Sequence, residues 1–383
     1  MTSAGRSEPD RCPGVLSVHQ AADGGLARVR LPGGVVSPAQ LRVLAAASAD
    51  LGDGNLELTS RGNIQIRALR PGAPKELSDR LYDAGLLPSL THERVRNILA
   101  SPLSGLDQHS QYDVQPLVAA LDRNLCATPR LAELPGRFLF TLDDGRGDLA
   151  AIGADVGVRF TGAQAALLLA GEDTGVRLSP ADAPRVMLQA AEAFLDEREA
   201  QQSAAWRLGE LTDGVLEVLS RLGYSKSAGQ SAPQGEAVRA GMHGPELLVA
   251  TVPLGSLGQE QAAALADAVQ LRVTPWRSVV VVGGDVDRLV AAGLVVDEES
   301  PWNRMTACAG RPGCGKALAD VRRDARRVAA MVPSGRRPVH WSGCERRCGQ
   351  PAGDFVDVLA LTDGYSVDGS AAVTAEQSVM RMR

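Results

Sequence analysis

The chain has 383 residues, of which 44% are hydrophobic and 22% charged, with a net charge of −5. That balance describes a globular protein of two or more domains, without the basic excess that draws a chain to nucleic acid or a membrane surface. No apolar run approaches the ~20 residues of a membrane-crossing helix, and the start, MTSAGRSEPDRC, lacks the pattern of a secretory signal, so a cytoplasmic chain with reduced thiols is expected.

From Val29 the sequence VRLPGGVVSPAQLRVLAAASADLGDGNLELTSRGNIQI reads as an extended start, a helix and a strand of alternating apolar residues. LYDAGLLPSLTHERVRNILASP follows from Leu81, and a long helical region runs on from Pro184. The polar stretch SKSAGQSAPQGEAVRAG, Ser225 to Gly241, reads as a linker. Beyond it the first pattern returns as TVPLGSLGQEQAAALADAVQLRVTPWRSVVVV from Thr251, with Thr274 standing where Thr59 stood. LVAAGLVVDEESPWNRMTACAG, from Leu289, then matches the segment at Leu81, so that Arg304 falls on Arg96. Two copies about 210 residues apart are too few for a solenoid. They predict a duplicated module whose halves pack about a pseudo-two-fold axis, with a site between them.

Four of the six cysteines lie at the end of this second copy, in CAGRPGC and GCERRCG, with the spacing C-x5-C-x29-C-x3-C. Clustered cysteines in a reducing compartment are more often ligands or catalytic than disulfides. A zinc knuckle uses tighter pairs. Four thiolates in two pairs suit a [4Fe–4S] cube, and Pro312 with the glycines lets backbone run close to inorganic sulfide. Unliganded thiols are the remaining reading, and Cys12 and Cys126, which have no paired partner, fit it best. Gly310 to Lys316 also fits the phosphate-binding G-x4-G-K pattern, yet Ala317 stands where a Ser or Thr would bind magnesium. No strand is followed by a convincing G-x-G-x-x-G, so electrons must come from a separate donor.

With these motifs in view, the chain resembles the sulfite/nitrite reductase superfamily over nearly its whole length. The resemblance rests on ELTSRGNIQI around Arg61, VRNILASP around Arg96, LPGRFLF around Arg137, and the cysteine pairs preceded by His340-Trp-Ser-Gly. It implies an α+β fold in which duplicated ferredoxin-like half-domains alternate with sulfite/nitrite reductase-type α+β domains. The half-domains are expected at 10–75 and 242–296, the α+β domains at 88–224 and 300–383, and the linker at 225–241. It also implies that Cys308, Cys314, Cys344 and Cys348 hold the cluster, which reductase members bridge to sirohaem through the last of them, Cys348. Arg61, Arg96 and Arg137 then fall where the family lines its pocket with cations. Arg67, Arg94 and Arg304 join them as candidates for gripping the carboxylates of a tetrapyrrole; of 40 Lys and Arg only three are lysine, and Arg is the side chain that holds a carboxylate with two parallel bonds.

Two departures matter. Leu139 stands where reductases carry Lys or Asn to hold the oxyanion, and the chain is short after the second cysteine pair. Together with CPG at Cys12, ARVRLPGG and PGRFLFTLDDGRGDL, they resemble the branch of the superfamily that hydroxylates a tetrapyrrole in aerobic cobalamin biosynthesis. That implies precorrin-3A and O2 as substrates, lactone formation, and an external donor, a ferredoxin or a flavoprotein reductase fed from NADH. A cube held at all four corners by cysteine leaves no iron free for oxygen, so an additional mononuclear iron is implied, with His340 and His92 either its ligands or packing residues. The alternatives are a sirohaem-dependent sulfite or nitrite reductase and a non-catalytic tetrapyrrole carrier.

Overall fold

The computed structural model describes residues 10, 12–230, 235–333, 335, 337–351 and 353–382; residues 231–234 of the expected linker lie outside them. The first half-domain comprises β1 (His19–Ala21), β2 (Gly24–Val29), β3 (Val35–Val36), α1 (Pro38–Leu51), β4 (Leu56–Leu58), β5 (Ile64–Leu69) and α2 (Ala73–Asp83). The first α+β unit follows with β6 (Ile98–Ala100), α3 (Gln115–Ala127), β7 (Phe140–Asp143), β8 (Val156–Thr161), β9 (Gln164–Leu169), β10 (Glu172–Leu178), α4 (Ala183–Ala200) and α5 (Gly214–Arg221). The second half-domain holds β11 (Gly241–Met242), β12 (Leu247–Thr251), β13 (Ser256–Leu257), α6 (Gln259–Leu265), β14 (Gln270–Val273), β15 (Ser278–Val282) and α7 (Val286–Ala291). The chain ends in β16 (Met305–Ala307), α8 (Val321–Val328), β17 (Val339–Ser342), β18 (Val356–Leu361), β19 (Gly364–Val367) and α9 (Ala375–Val379).

The repeat is written into the backbone. Pro32–Gly34 and Pro253–Gly255 form matching tight turns, with positive φ at Gly33 and Leu254 and again at Gly34 and Gly255. In both hairpins a threonine hydroxyl accepts the backbone N–H groups two and four residues on: Arg61 and Asn63 on Thr59, Trp276 and Ser278 on Thr274. After the first turn, Ser37 and Gln40 cap α1 reciprocally and Pro38 fixes its first residue, so the helix starts sharply. A side chain at Gly34 is excluded, because a Cβ there would stand 2.0 Å from the carbonyl oxygen of Val273.

The two half-domains exchange strands. The first sheet runs β1-β2-β5-β4-β13 and the second β11-β12-β15-β14-β3, so each takes a two-residue edge strand from the other repeat. One apolar core serves both, joining Leu44, Leu56, Ile64 and Ile66 to Leu248, Leu265, Leu271 and Val281. Leu77 and Leu81 of α2 belong to it too, which carries the first half-domain beyond the expected boundary at 75. The two α+β units also match: β6, β7 and β8 are parallel with β9 antiparallel beside them, and β16, β17, β18 and β19 repeat that order. Each unit has its own core, around Phe138, Phe140 and Phe194 in the first and Trp341, Val358 and Tyr365 in the second.

Candidate functional site

Strand alternation decides what the first half-domain shows to the rest of the molecule. In β2 and β5, Ala27, Val29, Ile64 and Ile66 are buried in the core, so Arg28, Gln65 and Arg67 point to the opposite face. The register places Arg28 opposite Gln65, Gln65 opposite Glu57 and Glu57 opposite Ser256, one polar row across four strands. The corresponding row of the second sheet reads Val249, Val280, Arg272 and Val35. That row is sealed: Leu103, from the loop after β6, packs on Leu247, Val249 and Val280, while Arg272 donates to the carbonyl oxygens of Pro102 and Ser104 at 2.9 and 2.7 Å. Of two faces related by the duplication, one is closed by apolar contact and the other stays polar.

The cysteine loops lie against the polar face. Cys308 and Cys344 leave the ends of adjacent parallel strands, β16 and β17, and Gly343 N–H donates to Cys308 Sγ at 3.1 Å. A Cβ at Gly343 would meet Ala317 at 2.7 Å, so the glycine is what lets these loops close on each other. All six cysteines are free thiols. Burial pushes the Cys348 thiol up, Arg346 opposes this, and Cys308, Cys344 and Cys314 add to the rise, so the four thiols form one electrostatic group. Among the described residues no three His, Cys, Asp or Glu side chains converge as a single metal ion requires. A four-iron cube makes a different demand, since each thiolate binds its own corner and the ligands need not meet at a point.

The same fact bears on the second iron, for which the described residues supply no ligand set. His92 is engaged by Ser89 and Thr91 at Nδ1 and by the carbonyl oxygen of Thr128 at Nε2. His340 is fully buried on β17, its Nδ1 2.8 Å from Thr306 Oγ1, and burial with Arg277 nearby holds it down to about 4, so the ring is neutral at pH 7. His92 thus has both ring nitrogens engaged, whereas the buried Nε2 of His340 has no hydrogen-bond partner among the described residues.

At the other end of the polar face the arginines crowd together. Arg28 and Arg30 both donate to Cys12 Sγ at 3.3 Å, Arg30 Nε reaches the carbonyl oxygen of Arg94, and Arg61 Nη1 that of Arg137 at 3.0 Å. Arg137 lies over the Trp206 ring, 5.0 Å from its centre. Burial lowers Arg61 to about 10, with repulsion from Arg207 adding to it, and Arg28 falls to about 10 through burial and then Arg30. Among the described residues the acids nearby are fewer than the cations. Glu93 accepts from the N–H groups of Val15 and Leu16, Asp155 holds Arg207, and Asp10 takes the N–H of Cys12 and stands 3.9 Å from both Arg94 and Arg137. Arg30, only 2% exposed, keeps a buried Nη1 without a partner, as does Arg28 its Nε. Buried cations in excess of their anions are costly unless a ligand brings the missing charge. Arg94 and Asp10 also line a cavity of about 760 Å³ with Glu93 and Trp206, within the size range of small-molecule sites.

Three of the expected cations, Arg61, Arg94 and Arg137, thus come together, and three do not. Arg96 is buried in a bidentate pair with Asp122, both contacts 2.7 Å, and donates to the carbonyl oxygen of Leu86. Arg304 spends its guanidinium on the carbonyl oxygens of Arg337 and Pro333. Arg67 pairs with Asp23 and reaches the carbonyl oxygen of Gly313, beside Cys314. Arg28, Arg30 and Arg207 were not among the expected residues. For the first two the signal was present: in ARVRLP two arginines alternate with Val29, which puts both on one face of a strand whose other face is core.

The loops of the first α+β unit that correspond to the cysteine loops hold acids instead. Asp143 accepts from the N–H groups of Gly145 and Gly147, Arg146 bridges Asp144 and Asp107, and Ser101 donates to Asp148 at 2.7 Å. Burial, reinforced by Asp143, pushes Asp148 up to about 7, so the folded chain binds a proton there more tightly than the unfolded one. This group's stabilising effect is therefore full at low pH and is lost as pH rises from about 4 to about 7. Asp148→Asn is expected to remove a slope of up to about 1.4 kcal/mol per pH unit across that window, read from urea unfolding at a series of pH values. A slope unchanged in the variant would place the titration elsewhere.

Comparison with known proteins agrees with this architecture. The family model described as the nitrite/sulfite reductase ferredoxin-like half domain matches residues 19–84. The chain is 27% identical to a precorrin-3B synthase of Sinorhizobium sp over 94% of its own length and 83% of that protein's. It is 28% identical to a ferredoxin–nitrite reductase of Synechococcus elongatus over 90% of its length and 78% of the relative's. The solved structure of the Mycobacterium tuberculosis NirA protein shares the fold, with a TM-score of 0.71 at 20% identity over 88% of this chain and 71% of that one. With its exchanged half-domains, its paired α+β units and relatives matched along almost its whole length, the chain belongs to the sulfite/nitrite reductase superfamily.

Proposed function

We propose that this chain is a monooxygenase of the precorrin-3B synthase type, which hydroxylates precorrin-3A with O2 and closes a lactone. The observation that carries the reading is the cluster of Arg28, Arg30 and Arg61, the first two with buried guanidinium nitrogens that have no partner among the described residues, beside the sheet face that meets the cysteine loops. Precorrin-3A is a ring of four pyrroles fringed with acetates and propionates, and supplies the carboxylates that those cations lack. Leu139 supports the choice over an oxyanion reductase: it is 2% exposed and offers no charge to nitrite or sulfite.

In this reading Cys308, Cys314, Cys344 and Cys348 hold the [4Fe–4S] cluster, which when bound supplies single electrons from an external ferredoxin or flavoprotein reductase. One oxygen atom enters the macrocycle and the other leaves as water, consuming two electrons and two protons. The chain's own residues bind and orient. Arg28 and Arg30 are fixed by Cys12 and by backbone carbonyls before any ligand arrives, so little side-chain freedom is lost on binding. Arg61 is fixed in the same way by the carbonyl oxygen of Arg137.

The test is iron, acid-labile sulfide and visible absorption on anaerobically purified protein, followed by precorrin-3A, O2 and a reductant. About four irons and four sulfides with no macrocycle band, and a product heavier by one oxygen atom, are expected. An intense sirohaem band with nitrite or sulfite reduction would overturn the reading in favour of a reductase. Arginine roles are tested separately with uroporphyrin III, a stable polycarboxylate tetrapyrrole. Arg30→Met is expected to weaken its binding roughly 10- to 150-fold, the loss of one charge-assisted contact of about 1.5–3 kcal/mol. Arg304→Met, whose guanidinium faces loop carbonyls, is expected to bind as the parent does; equal loss in both variants would remove Arg30 from the pocket.

A further inference from the structure

Three arginines from three parts of the chain donate to carbonyl oxygens in the cysteine loops. Arg322 Nε reaches that of Cys308 at 3.2 Å, Arg67 Nη2 that of Gly313 at 2.7 Å, and Arg277 Nη2 that of Gly349, next to Cys348, at 3.1 Å. Two of them bring their own counter-charge: Arg322 is bidentate to Glu57 and Arg67 is paired with Asp23. Arg277 does not. The only carboxylate it feels among the described residues is Glu57, already held by Arg322. Its guanidinium is held below the usual arginine range by burial and then by repulsion from Arg322.

The backbone is arranged to keep this cation in place. Arg277 has φ +60, the left-handed region, and its counterpart in the first repeat is Gly62, also at φ +60. A non-glycine residue there costs on the order of 1 kcal/mol. A Cβ at Gly255 would stand 2.6 Å from Arg277 Cδ, and one at Gly349 3.0 Å from its Nη2. Two glycines thus leave room for a strained side chain whose charge is not neutralised.

We propose that Arg277 sets the reduction potential of the cluster carried by Cys308, Cys314, Cys344 and Cys348, its charge stabilising the one-electron-reduced form. The inference rests on the cluster reading above. Reduction adds one negative charge to the cube, taken from an external one-electron donor, and an unneutralised cation beside Cys348 favours that product. Arg67 and Arg322 sit as close to the loops, but Asp23 and Glu57 offset their fields.

The experiment is a dithionite titration of the anaerobic holoprotein, followed by electron paramagnetic resonance of the reduced cluster, with iron and sulfide measured first. Arg277→Gly relieves the backbone and removes the charge. It is expected to lower the equilibrium constant for reduction about tenfold, which for one electron is about 59 mV more negative. Arg277→Lys is expected to keep most of the parent potential, and Arg130→Gln, an exposed cation of the first α+β unit paired with Asp196 and Glu199, to leave it where it is. Parent protein without iron and sulfide would remove the cluster reading itself. A fully loaded Arg277→Gly protein titrating at the parent potential would overturn the role of Arg277 while leaving that reading intact. Should glycine cost the cluster, Arg277→Gln, similar in length and uncharged, reads the same shift, and an unmoved potential there overturns the proposal equally.

Discussion

Serine at Cys314 is expected to leave a folded chain that has lost its iron, falling from about four atoms per chain to below one, together with its visible absorption. The chain survives because the second α+β unit has its own apolar core, built on Trp341, Val358 and Tyr365 rather than on the loops. The cluster is lost because a hydroxyl stays protonated where a thiolate would bind, and one open corner exposes the cube to solvent and oxygen. Thermal stability should fall as well, since a group bound only by the native state stabilises it by mass action. Cys126→Ser is the matched control. That thiol packs against the core of the first α+β unit, and burial, then Asp122, pushes it up to about 11. It should keep its iron, and full iron and sulfide in Cys314→Ser would refute the ligand assignment.

Glu57→Ala is expected to cost about 3–5 kcal/mol, because it strands a buried cation. Glu57 sits on β4, accepts from Ser256 of the other repeat at 3.0 Å, and holds Arg322 with both oxygens, tying the two half-domains to the cysteine-bearing unit. Its carboxylate and the Arg322 guanidinium are 7% and 17% exposed, so water cannot replace the lost partner. Without Glu57, Arg322 would face Arg277 with only the weaker attraction of Asp53 to offset it. The double variant Glu57→Ala/Arg322→Met removes both charges and should recover most of the loss, since a buried pair replaced by apolar groups is often close to neutral. Urea unfolding of the two singles and the double measures this. A double variant whose loss equals the sum of the two single losses would show that the two side chains act independently.

The duplication was legible because its carriers are local: the Thr59 and Thr274 hairpins, the tight turns and the helix starts recur at fixed offsets. The cysteines were legible for the same reason, as two short motifs. Arginines are different, because what a guanidinium does depends on which acid the fold brings to it. Arg96 and Arg304 align in the repeat, yet Asp122 claims one and loop carbonyls the other, and neither partner can be read from the surrounding motif. The polar row escaped notice for a third reason. Its members come from four strands, and one of these, Ser256–Leu257, is too short to show any periodicity.

The traded two-residue strands make half of this chain something other than half of the molecule. A single repeat standing alone would leave β4 with a bare edge and Val35–Val36 with nothing to bond, both liabilities in water. Only a second copy turned about a two-fold axis satisfies both at once. Joining two such copies in one chain also freed them to diverge, so that one groove could be filled with valine and leucine while its twin stayed charged. No symmetric dimer of identical chains can make that distinction.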